Sequence, residues 1–145
     1  MKKFISIVVI LMGVFLVLFL LIQLVPYGRD HTNPAAVMEP KWNSPETRAL
    51  LKRACFDCHS NETIWPWYSN VAPVSWLVTY DVNRGREHLN FSEWNRPQVD
   101  SEEIISVIEE GEMPTFQYLS MHSTARLNQA EKQALIQGVR DTFEQ

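Results

Sequence analysis

Apolar and polar residues are spread unevenly along this chain. From Phe4 to Val25, 22 consecutive residues carry no charge. As a helix such a run reaches about 33 Å, enough to cross a hydrocarbon layer of about 30 Å. Beyond it the apolar positions become spaced. Ser44 suits an N-cap and Pro45 the first helical position, and Leu50, Leu51, Ala54 and Cys58 form a stripe, which predicts a helix near Ser44–Phe56. Val74, Leu77, Val78 and Val82 fit a second helix. "WLVTYDV" also alternates as a strand does, but no second strand is evident to pair with it. "VDSEEIISVIEEGEMP" predicts a short helix capped by Asp100, with Glu103 three residues on and Ile104, Ile105, Val107 and Ile108 on the buried side. Gly111 ends it and Pro114 prevents continuation. In "LNQAEKQALIQGVRDTF" Asn128 caps, Glu131 closes a capping box, and Leu135, Val139 and Phe143 line one face. The expected fold class is all-α: an N-terminal transmembrane helix followed by a small helical domain.

Three segments are expected: an anchor over residues 1–26, an extended proline-containing tether over 27–43, and a domain over 44–145. A cleaved signal peptide is the rival reading of the first. The apolar run is longer than the usual core of about 7–15 residues, and "LVPYGRD" offers no small-x-small cleavage site. Lys2 and Lys3 precede the run, whereas Arg29 and Asp30 after it cancel. The positive-inside rule then keeps the N-terminus in the cytoplasm and puts the rest on the periplasmic or extracytoplasmic side of a single-pass cytoplasmic-membrane protein.

Charge narrows the partners. Of 13 basic residues, Lys2, Lys3 and Arg29 come before Asp30, so the last 116 residues hold 10 against all 17 acidic ones, a formal −7. That argues against nucleic acid and against anionic membrane surfaces as partners.

The two cysteines of the chain stand three apart, and a histidine follows the second: Cys55-Phe56-Asp57-Cys58-His59. C-x-x-C-H is the attachment pattern of c-type haem, in which two thiols bond the vinyl groups and the next histidine is the proximal iron ligand. Three rival readings exist. A dithiol redox pair wants a βαβ context, half a zinc site wants two more ligands at finger spacing, and a disulfide over so short a loop contributes little. Trp65, Trp67 and Tyr68 are candidates for haem-pocket walls or for plain core. Arg84 and Arg86 are candidates for pairing with propionates or for ordinary solvated arginines. Met113 is the candidate sixth ligand, because Pro114 keeps the backbone there extended, with Met121, His88 and His122 as rivals.

"CFDCHSNETIWPWYSNVAPVSWLVTYDVNRGREHLNFSEW", then "GEMPTFQYLSMH" and "LNQAEKQAL", resembles the bacterial haem-binding-domain family over roughly residues 40–145. The resemblance implies one covalent haem c per chain, held by Cys55, Cys58 and His59. The order of helix, motif, "MP" and final helix is also similar to class I c-type cytochromes, which lack "IWPWYSNVAPVSWLV". The expected function is single-electron transfer to redox partner proteins rather than enzymatic catalysis. The alternatives are a haem enzyme or a gas or redox sensor with an open sixth position, and a module in which haem only stabilises the fold.

Overall fold

In the computed structural model, residues 1–144 are described. Seven α-helices and two short 3₁₀ turns carry the chain, and no strand occurs among the described residues. The helices are α1 (Lys2–Ile22), α2 (Pro45–Ala54), α3 (Phe56–His59), α4 (Val74–His88), α5 (Ser101–Glu109), α6 (Phe116–Met121) and α7 (Gln129–Phe143). The chain forms two compact units. One joins Met1–Thr32 to Trp65–Asp81; the other joins Asn33–Ile64 to the chain from Val82 onward. Helix α4 begins in the first and ends in the second.

In the first unit, α1 has no buried residue, and it is long and apolar enough to cross a membrane. Just past its end, the Gln23 carboxamide donates to the carbonyls of Phe19 and Ala72 and accepts the Ala72 N–H, each at 3.0 Å. Gly28 has φ +78°, and a Cβ there would stand 2.6 Å from the Ser75 carbonyl oxygen, so only glycine fits. His31 stacks on Trp65 with ring centroids 4.5 Å apart, and its Nε2 lies 3.1 Å from the Ser69 carbonyl.

The second unit holds the core. Ser44 caps α2 by accepting the Thr47 N–H, and Pro45 stands at its first position. Asp100 caps α5 through the Glu103 N–H. The Glu103 carboxylate does not close a box there; it meets His88 Nε2 at 2.7 Å. Asn128 and Glu131 make the full capping box of α7. Helices α2, α5 and α7 pack together, burying Leu50, Leu51, Ile104, Ile105, Ile108, Leu135 and Val139. Phe56 and Phe91 stack beneath them at 5.5 Å, and Trp42, Trp94 and Phe143 complete an aromatic cluster.

Residues 33–43 contain no helix. They are nevertheless fastened to the domain: Val37 and Met38 donate N–H groups to the Ser92 carbonyl, Trp94 N–H returns to Met38, and Glu39 pairs with Arg48 at 2.5 Å. The hydrogen bond from Arg48 holds the Glu39 carboxyl below its usual pKa.

Where α7 crosses α2, a Cβ on Gly138 would lie 2.2 Å from Thr47 Oγ1, on a buried β-branched side chain already engaged with the Ser44 cap. Gly138→Ala is therefore expected to destabilise the fold by about 1–3 kcal/mol from overpacking, more than the helix-propensity gain of about 1 kcal/mol. Urea unfolding measures the sign; a more stable variant would show that the helices slide apart without penalty.

Candidate functional site

Cys55, Cys58 and His59 occupy a single helical turn. Cys55 N–H closes on the Leu51 carbonyl at 2.7 Å, and the Cys55 carbonyl then accepts Cys58 N–H at 3.2 Å and His59 N–H at 2.9 Å. Spacings of three and four put all three side chains on one face of that turn. The cysteines are not joined by a disulfide, and burial pushes the Cys55 thiol up to about 12.

The two residues between the cysteines fix the turn from opposite sides. Phe56 is 1% exposed and belongs to the core. Asp57 faces a polar cage: its Oδ1 accepts the Ile64 N–H at 2.9 Å, its carbonyl accepts the Thr63 hydroxyl at 2.7 Å, and its Oδ2 accepts the Tyr118 hydroxyl at 2.7 Å. Tyr118 stacks on His122 at 4.2 Å. Burial, then the Asp57 hydrogen bond, raises the Tyr118 pKa, and both thiols add to the effect. Helix α6 is thereby tied to the motif.

His59 Nδ1 lies 3.1 Å from the Gly85 carbonyl and 3.2 Å from the Leu89 carbonyl. Both partners only accept, so the proton is on Nδ1 and the lone pair is on Nε2. Burial lowers the His59 pKa, which keeps the ring neutral near pH 7. A neutral imidazole oriented through Nδ1 by backbone carbonyls is in the state that metal ligation requires. The contact depends on Gly85, where a Cβ would meet the Cys58 carbonyl oxygen at 2.4 Å.

The next residues form a buried polar lock. His59 carbonyl accepts Phe91 N–H at 2.8 Å, Asn61 N–H bonds the Ser92 hydroxyl at 2.9 Å, and Asn90 donates to the Asn61 carboxamide at 2.9 Å. Arg86 spans the same loop, donating to the Ser60 carbonyl, Asn33 and Thr63, each at 2.8 Å. Its donors thus go to the loop that follows the motif and to Asn33. Arg84 is exposed and pairs with Glu87 at 3.1 Å.

Met113 lies on the turn between α5 and α6, 38% exposed, with its N–H on the Val107 carbonyl at 3.1 Å. Trp65, Trp67 and Tyr68 belong to the first unit: Trp65 lies against His31, while Trp67 is 78% exposed and edge-on to Tyr68. Sequence reasoning missed Asp57, Tyr118, the Asn61–Asn90 lock and Gly85. Only Gly85 left a signal, a glycine inside the helical run "DVNRGREH", since an interior glycine costs a helix about 1 kcal/mol and needs a packing reason.

The sequence model of the haem-binding domain family matches residues 17–141. The chain belongs to that family. Searches of curated proteins and of solved structures returned no match. A haem-binding domain needs an iron ligand and a surface for the porphyrin. The lone pair on His59 Nε2, the two thiols beside it and the exposed apolar side chains of Met113, Phe116 and Met121 suit that group.

Proposed function

We propose that this haem-binding protein is a membrane-anchored monohaem c-type electron carrier, its domain on the extracytoplasmic side. The observation that carries the reading is the His59 ring: Nδ1 is spent on two backbone carbonyls, leaving the Nε2 lone pair on the same helical turn as two thiols. Cys55 and Cys58 would form the thioethers and His59 the proximal bond. Bound haem supplies an iron that cycles between the ferrous and ferric states, one electron at a time. The chain's own part is to orient the imidazole, hold the motif turn still and limit access of solvent. Helix α1 serves as the anchor and the acidic domain favours cationic or weakly charged redox partners.

Met113 is proposed as the sixth ligand, since α6, which follows it directly, is tied to the motif through Tyr118 and Asp57. The exposure of Met113 favours a second reading, a sixth position open to small ligands and a sensor or enzyme role. A visible spectrum of the reduced holoprotein, with and without carbon monoxide, separates them. The carrier should be low-spin and inert to carbon monoxide, and Met113→Ala should open it; Met113→His should stay low-spin at a lower potential. If the wild type binds carbon monoxide readily, the sensor or enzyme reading replaces this one.

A further inference from the structure

The stretch Trp65–Tyr80 holds three tryptophans and two tyrosines, and no charged residue. It is not folded into the domain core; it belongs to the unit that contains α1. Four of its apolar or aromatic side chains are open, Trp67 at 78% exposed, Val74 at 43%, Leu77 at 52% and Tyr80 at 56%, while Trp65, Tyr68 and Trp76 are half-buried and Ala72 is buried. Val74, Leu77 and Tyr80 follow at steps of three along α4 and share one side of it. This surface starts beside the exit of the apolar helix. The Gln23 carboxamide, one residue past α1, holds the Ala72 backbone by a donor and an acceptor, and Gly28 lets the chain close on Ser75. Tyr27, also on the exit segment, is 51% exposed.

Tryptophan and tyrosine are the residues that settle at the headgroup level of a bilayer, where one end of the ring is apolar and the other wet. A helical segment with an apolar, aromatic side facing outward can bury that side in the same plane. We propose that Trp65–Tyr80 is a lipid-docking element that rests in the membrane interface beside the exit of α1. The inference rests on α1 being an anchor. Continuity with that helix is what selects a bilayer as the occupant. The net −7 of the extracytoplasmic part disfavours anionic lipid, so the zwitterionic interface is the surface expected.

The test uses the full-length holoprotein in phosphatidylcholine vesicles, with photoreactive p-benzoylphenylalanine in place of Leu77, of Trp67 or of Gln133, the last exposed on α7. After irradiation, mass spectrometry counts lipid adducts. The yield at Leu77 and Trp67 is expected to exceed that at Gln133 by about tenfold, as interfacial burial implies. Equal yields, with the chain still held by the vesicles through an alkaline carbonate wash, would overturn the docking element and leave the anchor standing. Adducts from Leu77 to a second copy of the chain would make the occupant protein and overturn the lipid assignment. Release of the chain by the wash would overturn the anchor and this inference together.

Discussion

Replacing Cys55 and Cys58 together by alanine is expected to remove all haem that survives a denaturing gel. The two sulfurs sit one helical turn apart on the face that also carries His59, so in the proposed reading two thioethers and one axial bond would act on one group. Detergent unfolds the chain and frees any haem held only by His59, so the stain at the mass of the chain reports the thioethers alone. Either single substitution should keep a stained band, because one thioether suffices to hold the group through denaturation. The alanines leave Phe56 in the core and Asp57 on Tyr118, so the native-state domain should persist and still take up haem reversibly. A stain undiminished in the double variant would show that attachment does not use this motif.

Gly85→Ala is expected to be the most damaging small substitution near the site. Its Cβ would stand 2.4 Å from the Cys58 carbonyl oxygen and 3.0 Å from the carbonyl carbon. Both are backbone atoms of the motif turn, so no side-chain rotation relieves the clash. Alanine favours an exposed helix over glycine by about 1 kcal/mol. Here overpacking of about 1–3 kcal/mol opposes that gain, and moving α4 away also removes the carbonyls that hold His59 Nδ1. The expected results are a lower denaturant midpoint and a weaker, ligand-exchangeable haem spectrum in the same variant. A variant that is as stable as the parent, with an unaltered spectrum, would mean that the turn and α4 separate freely.

The parts of this structure that local chemistry specifies were readable from the sequence. Ser44 with Pro45, Asp100 with Gly111, and Asn128 with Glu131 each mark a helix end within four residues of where it acts, or close the helix they begin. The segment around Val74 was ambiguous by pattern, and the helix forms there as preferred; it runs on through Gly85 to His88. Helix α6 was not foreseen. It has six residues and no buried side chain, and what holds it is distant in sequence, the Tyr118 hydroxyl on Asp57. Its cap, Thr115, lies directly after a proline that reads as a stop. Residues 33–43 read as a tether because their contacts are either backbone bonds, Val37 and Met38 on Ser92, or side-chain contacts to partners farther along the chain, Glu39 on Arg48 and Trp42 on Phe91, and neither kind leaves a periodic pattern. The motif announced its cysteines and histidine through spacing. The tautomer of His59 depended on carbonyls 26 and 30 residues away and had no local signature.

Phe56 gives the motif one more property. Proteins usually open first where few apolar groups are buried, and such low-stability patches supply the loops that move during function. Here the residue between the cysteines is 1% exposed and stacked on Phe91, so the turn that carries Cys58 and His59 cannot breathe unless the aromatic cluster opens with it. The segment that carries Cys58 and His59 is therefore coupled to the core cluster and opens only with it. For the proposed one-electron chemistry, that stiffness would hold the His59 imidazole in the same place before and after each transfer, and so would keep the reorganisation energy of the protein small.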